Sequence, residues 1–306
     1  MLTSLAFAAA LVAGPAQQDP PPAPPTQAGE PTIRLEDVVS NARTLREATE
    51  SFVDEVAAPV RRRGIGRWHG GVCVGVANLS TEAAQYIVDR VSDVDRDLDL
   101  RPGAPGCEPR ILVVAATDGD AFTRAFVDMR PRLFRTGIGG MDRGRAAFEK
   151  FLNADAPVRW WTVSLPVDED TGAVAVRTSD QPPVTQVRGV SRISSQYRQD
   201  LARTFVIVDV DRLEGVSLAQ LADYIAFVSL AEVDPEADTS SYDTILNLFD
   251  NPQAADGLTG WDTAYLRGLY ESDWRRTHQN SQVRAIAHTI TNEYRALDRS
   301  GEDAPE

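Results

Sequence analysis

The segment from residue 217 to residue 233 constrains the fold most strongly, because it predicts a helix with apolar residues on almost every face. Ser217 and Gln220 match the capping-box pattern that begins a helix. One face carries apolar residues at steps of three and four, namely Leu218, Leu221, Ile225 and Val228. A helix with so little polar surface has to be enclosed by other elements, so we expect it to lie in the core.

An irregular acidic segment and a second helix follow. The acidic segment ends between Thr244 and Phe249, and the second helix begins near Leu258 and runs to Tyr270. This order resembles the end of a matrixin-type metalloprotease domain, in which the first helix carries HExxHxxGxxH and a closing helix begins Leu-Ser/Thr-x-x-Asp. The region is also similar to the C-terminal part of a group of uncharacterised secreted proteobacterial proteins. The resemblance implies a zincin-like α+β fold, with a mixed sheet of four to five strands packed on helices and added helices at both ends.

The residues that bind zinc in that motif are replaced in this chain. Zinc hydrolysis needs two imidazoles one turn apart on a helix, a third ligand further on, and a carboxylate beside the first imidazole. The replacements are Asp223, Phe227 and Val233 at the three imidazole positions, Tyr224 at the glutamate and Leu230 at the glycine. No histidine lies between His69 and His278, so a shift in register restores no ligand. We therefore expect no metal, no cofactor and no catalytic residue from this motif.

Asp223 has two interpretations, because a carboxylate on a buried helix is costly unless it is paired. The favoured one is a structural aspartate that pairs with an arginine or caps backbone amides. In the alternative it is a general base in a different reaction, with Tyr224 and His69 as the other candidate catalytic residues. His69 precedes the first predicted strand, and we favour a structural role for it because no serine or aspartate stands in a recognisable relation to it.

The two ends of the chain predict segments outside the folded domain. Residues 1–16 are mostly apolar and end in a small-residue site, which predicts a secretory signal peptide although a positively charged start is missing. Residues 17–31 form a proline-rich linker, and residues 298–306 an acidic, disordered tail. Between them we expect one domain, 32–297, in a periplasmic or secreted protein without a transmembrane segment after signal removal.

Cys73 and Cys107 are the only cysteines, and in an exported chain they predict a disulfide. Cys73 lies in a predicted strand at 71–77, and Cys107 shortly precedes another at 111–116. A bridge between them should stabilise the fold by about 3 to 4 kcal/mol on the chain-entropy model.

The remaining periodicity predicts alternating helices and strands. Helices are expected at 33–56, 80–99, 120–129, 143–152 and 273–297, and strands at 158–167, 173–177 and 204–210.

The charge of the chain excludes one class of partner. A net charge of −14 and a pI near 4.7 argue against nucleic acid, which would require an excess of surface cations. The one basic cluster, Arg61 to Arg63 with Arg67, could contact an anionic partner or lipid head groups. The favoured interpretation is a solvated loop.

Two functional hypotheses from different classes follow. The favoured one is an exported, catalytically inactive zincin-like module that binds an envelope protein or an extended peptide between the 217–233 helix and the edge strand, because unpaired strand edges accept added strands. The alternative is a hydrolase with a non-standard active site around Asp223, Tyr224 and His69.

Overall fold

The computed structural model describes residues 35–59, 64–134, 143–175, 196–272 and 279–302. The chain divides into two compact units, Met1–Ser40 and Asn41–Glu306. Of the first unit only residues 35–40 are described, as the start of a helix. The predicted signal peptide, the linker and Arg61 to Arg63 lie outside the described residues.

Helices and strands alternate along the described chain, and the predicted α+β class is confirmed. The helices are α1 Leu35–Val56, α2 Thr81–Asp97, α3 Gly119–Met129, α4 Pro131–Phe134, α5 Arg145–Leu152, α6 Leu218–Leu230, α7 Gly260–Glu271 and α8 Gln279–Glu302. The strands are β1 Gly71–Val72, β2 Val74–Ala77, β3 Arg101–Pro102, β4 Ile111–Ala116, β5 Val158–Asp168 and β6 Tyr197–Asp209. Short 3-10 turns span Val210–Arg212 and Ile245–Asn247.

The main sheet has four strands in the order β2-β4-β6-β5. Strands β2, β4 and β6 are parallel, whereas β5 lies antiparallel to β6 as an outer strand. Strands β1 and β3 form a separate parallel pair. The predicted mixed sheet is therefore present with four strands, and α6 follows its third strand directly.

Two hydrophobic clusters cover opposite faces of this sheet. On one face α2 and α6 pack with Val158, Trp160 and Val206. On the other face the aromatic residues of α4 and α5 pack with Trp161 and Phe205. Side chains of β5 alternate between the two clusters, as the period of a strand requires.

Helix α6 is the central element of the first cluster. Every residue from Gln220 to Leu230 is buried. The predicted capping box is confirmed, because Ser217 Oγ accepts from Gln220 N at 3.2 Å and Gln220 Oε1 accepts from Ser217 N at 2.9 Å. The predicted core helix is confirmed, and its last helical residue is Leu230.

The predicted disulfide is confirmed. Cys73 and Cys107 are bonded, with Cα atoms 6.1 Å apart. The strand predicted at 71–77 is interrupted at this bridge, since Gly71–Val72 pairs with β3 and Val74–Ala77 with β4. Cys73 lies between β1 and β2, and its carbonyl accepts from both Arg110 N and Ile111 N.

Several predicted boundaries were wrong. β6 begins at Tyr197, before the predicted start at 204, because its polar first residues pair with the second half of β5, which is distant in sequence. Helix α8 continues to Glu302, beyond the predicted domain end at 297 and into the segment expected to be disordered. Of the return strand predicted at 173–177, the described residues show a single bridge between Val174 and Val167.

Within the described residues, no helix is long and apolar enough to cross a membrane.

Candidate functional site

Asp223 is buried and paired, as the structural interpretation predicts. One carboxylate oxygen accepts from the Arg90 guanidinium of α2, and the other accepts from Leu258 N at 2.9 Å. A Cβ at Gly257 would overlap the same oxygen, so glycine is needed for this close approach. Asp223 therefore fixes α6 to α2 and to the segment that precedes α7.

Apolar side chains occupy the interior at the other motif positions. Phe227 is fully buried, and its ring centroid lies 5.6 Å from that of Tyr265. Leu230 and Val233 are also buried. In the part of the chain that the structure describes, no group of three or more His, Cys, Asp or Glu side chains could hold a metal ion.

His69 lies with a different carboxylate. Its Nδ1 is 2.8 Å from Asp200 Oδ1, and Arg198 Nε donates to the same oxygen at 2.9 Å. Burial opposes the charge on Asp200, but its interactions with His69 and Arg198 outweigh this effect and lower the pKa of that carboxyl. None of the contacts in the described residues joins His69 to Asp223 or Tyr224, so the three candidate catalytic residues do not form one cluster.

The interpretation of Arg67 as part of a solvated loop is wrong. Arg67 is buried, and its Nη1 donates to the carbonyls of Leu269, Tyr270 and Ser272 at 2.6, 2.9 and 3.0 Å. These carbonyls are the unpaired acceptors at the end of α7, where a cation is favourable. Arg67 is therefore a helix cap.

Asp262 connects the turn after α6 to the start of α7. Its carboxylate accepts from Ile245 N at 2.8 Å, from Thr259 N at 2.9 Å and from the Thr244 hydroxyl. Burial raises the pKa of Asp262 to about 6, although these donors act in the opposite direction. The predicted helix start near Leu258 is confirmed, with Thr259 as its cap.

A cleft with a volume of about 680 Å³ lies beside the outer strand β5. Its walls come from five parts of the chain: residues 149–151 of α5, residues 153–160 up to the first part of β5, Tyr224 of α6, residues 235–236, and Leu246 with Phe249 and Asp250. The cleft therefore lies where α6 approaches the edge of the sheet.

Three aromatic rings form one wall of this cleft. The centroid of Tyr224 lies 6.0 Å from that of Trp160 and 4.9 Å from that of Phe249, in edge-to-face arrangements. Trp160 is held in place because its indole N–H donates to Val233 O at 3.1 Å. The wall is therefore pre-formed by packing.

The Tyr224 hydroxyl is the polar group of this wall. The residue is 5% exposed and lines the cleft, yet no hydrogen bond to its hydroxyl is formed by the described residues. Burial, together with the negative charge of Asp250, raises the pKa of Tyr224 above its usual value. The group stays protonated at neutral pH and can donate a hydrogen bond to a bound molecule.

The outer edge of β5 is paired over its second half. Asp168 N donates to Ala173 O and Ala175 N donates to Pro166 O, both at 2.8 Å.

The first half of β5 is oriented by a bond to β6: Asp209 N donates to Pro157 O at 2.8 Å, so the backbone of Pro157 faces β6. Because the backbone groups of a strand alternate in direction, those of Val158 and Trp160 face away from β6. Among described residues no backbone hydrogen bond reaches these outward groups, and both residues line the cleft.

An ion pair joins two sides of the cleft, because Lys150 of α5 pairs with Glu236 and both residues line the cleft. Near Glu236 in sequence, Asp234 Oδ1 lies 2.9 Å from Arg143 Nη2. The side chains of Lys150 and Glu236 are both more than half exposed, so their pair contributes at most about 1 kcal/mol to the free energy of unfolding and can open at little cost.

Sequence reasoning identified Tyr224 but missed the rest of the cleft. Trp160, Phe249 and Asp250 come from β5 and from the loop after the 3-10 turn, and no local pattern in the sequence links them to Tyr224. Comparisons of the chain with family models, with curated proteins and with solved structures found no match.

Proposed function

We propose that this protein is an exported binding module that holds an extended peptide segment, such as a strand of an envelope protein, in the cleft beside β5. In this proposal the domain is a zincin-like scaffold without a catalytic metal. The antiparallel outer strand, and the helix that directly follows the neighbouring strand, support the scaffold assignment. The disulfide supports export, because such bridges persist mainly in oxidising compartments.

One observation carries the proposal: backbone groups and a hydroxyl without a hydrogen-bond partner among the described residues belong to residues that line the same cleft. The N–H and C=O groups of Val158 and Trp160 offer the hydrogen-bonding pattern that an added strand requires. The Tyr224 hydroxyl can donate to a carbonyl of that strand. The returning segment at Ala173 to Ala175 pairs the second half of the edge, so a peptide would extend the same ladder along the first half.

The chemistry of the cleft favours retention over cleavage. A hydrolase needs a base and an electrophilic group that converge on one carbonyl. Asp223 is bonded to Arg90 and Leu258, and His69 is paired with Asp200. Of the three candidate catalytic residues only Tyr224 lines the cleft, and its raised pKa makes it a hydrogen-bond donor and a poor base.

A capture experiment with the purified full chain tests the proposal. A pool of blocked nine-residue peptides is incubated with the protein, and bound and free peptides are identified by mass spectrometry. We expect a bound subset that is recovered uncleaved. Stoichiometric zinc in the purified protein, or peptide turnover, would contradict the proposal.

Two backbone variants locate the binding site. Val158→Pro removes one outward N–H and leaves the bonds to β6 intact, so we expect loss of capture with the sheet preserved. Val158→Ala shortens the side chain but keeps the N–H, and it should retain capture. Circular dichroism and urea denaturation are the controls that check whether both variants are folded. Equal capture by both would place binding elsewhere.

A further inference from the structure

The lining of the cleft has an excess of acidic groups. Its acidic residues are Glu149, Asp155, Glu236 and Asp250, and its basic residues are Lys150 and Arg159. Both basic residues already have carboxylate partners, because Lys150 pairs with Glu236 and Arg159 pairs with Asp120. Asp155 pairs with Arg212. Among the described residues, Glu149 and Asp250 make no ion pair.

Asp250 lies at the aromatic end of the cleft. It directly follows Phe249, its side chain is exposed, and its charge acts on the hydroxyl of Tyr224. The faces of aromatic rings attract cations, and the attraction strengthens where water is partly excluded. Aromatic side chains, and a carboxylate that makes no ion pair among the described residues, therefore line the same end of the cleft.

We propose that the aromatic wall of Trp160, Tyr224 and Phe249, with Asp250 beside it, is a subsite for a lysine or arginine side chain of the bound peptide. The inference rests on the proposed function, because the peptide backbone on β5 would place that side chain against the wall. A cationic ligand also suits the rim, where it competes with Lys150 for Glu236. The subsite would therefore select basic segments, which are also attracted by the net charge of −14.

Four blocked peptides with one variable central residue test the subsite. They share a Ser/Thr sequence of seven residues and carry lysine, arginine, norleucine or glutamate at the centre. Binding to the isotopically labelled full chain is followed by NMR through the indole N–H of Trp160. We expect the lysine and arginine peptides to bind about tenfold more tightly than the norleucine peptide, equivalent to about 1.4 kcal/mol, and the glutamate peptide to bind most weakly.

Two exposed aspartates provide a matched pair of variants. Asp250→Asn should remove most of the difference between the lysine and norleucine peptides, whereas Asp256→Asn, in the same segment but outside the cleft, should preserve it. The lysine preference should also weaken as salt is raised from 0.05 to 0.5 M, since exposed charges are then screened.

The outcomes separate the two proposals. Equal binding of the norleucine and lysine peptides, or an undiminished difference in Asp250→Asn, would overturn the cation subsite and leave the peptide cleft in place. Failure of all four peptides to bind, together with no capture from the pool, would overturn the proposed function itself.

Discussion

Asp95 on α2 gives the sharpest test of the energetics of this fold. The side chain is fully buried, and neither carboxylate oxygen has a hydrogen-bond partner among the described residues. Burial raises the pKa of Asp95 from 3.8 to about 7, and the positive charge of Arg96 only partly opposes this. The change to make is Asp95→Asn, which keeps the shape and removes the titrating group.

The sign and size of the effect follow from proton linkage. The folded state holds the Asp95 proton more tightly than the unfolded state, so stability falls as pH rises from about 3.8 and levels off above about 7. At about 1.36 kcal/mol per pKa unit, the whole interval corresponds to about 4 kcal/mol. Between pH 5 and pH 8.5 we expect the wild type to lose about 3 kcal/mol through this group alone.

Urea denaturation of both proteins at pH 5 and pH 8.5 measures this loss. The buried amide of the variant carries its own cost, which does not depend on pH, so the quantity to compare is the change with pH. Relative to the wild type, Asp95→Asn should gain about 3 kcal/mol on going from pH 5 to pH 8.5. The exposed Asp97 on the same helix is the control, and Asp97→Asn should follow the wild type. If the difference between Asp95→Asn and the wild type stays constant across this range, Asp95 is not a buried, unpaired carboxyl.

Three further changes test other contacts. Tyr224→Phe should leave the urea midpoint unchanged, because the Tyr224 hydroxyl has no partner in the described residues. Tyr270→Phe removes the hydrogen bonds to Leu230 O and Trp68 N and should lower the free energy of unfolding by about 1 to 2 kcal/mol. Equal losses in the two variants would contradict a Tyr224 hydroxyl without a partner. Replacing Cys73 and Cys107 together by serine should cost about 3 to 4 kcal/mol by urea denaturation, and an unchanged midpoint would argue against a stabilising bridge. Asp262→Ala leaves Ile245 N and Thr259 N without their acceptor and should lower the free energy of unfolding by about 2 to 4 kcal/mol, measured by thermal unfolding. A loss below about 1 kcal/mol would show that other contacts hold the 3-10 turn at Ile245–Asn247.

Local patterns were sufficient to predict the elements that carry their own signals. β4 was predicted at 111–116 and is observed at Ile111–Ala116, because a continuous apolar run bounded by polar residues is typical of a buried strand. The capping box of α6 predicted the start of that helix, and the resemblance placed the start of α7 near Leu258, where the structure shows a second capping box. The start of β6 was missed because its first residues are polar and are held in the strand by pairing with Val163 to Asp168 of β5, which no local pattern shows.

The candidate site was predictable only in part. Tyr224 stood out because of its position in a recognisable helix, but its environment depends on residues distant in sequence. Trp160 precedes it by many residues and Phe249 follows it in a loop, so only the tertiary fold brings their rings together. Buried Arg67 was misjudged for the same reason, since the carbonyls that it caps lie about two hundred residues away.

Hydrogen exchange at three consecutive amides of β5 tests the central claim most directly. When the full chain is saturated with a captured peptide, the amides of Val158 and Trp160 should exchange at least about tenfold more slowly, because the added strand bonds to them. The amide of Arg159 faces β6 and should be unaffected, so it is an internal control. Unchanged exchange at Val158 and Trp160 in a saturated complex would contradict strand addition in this cleft.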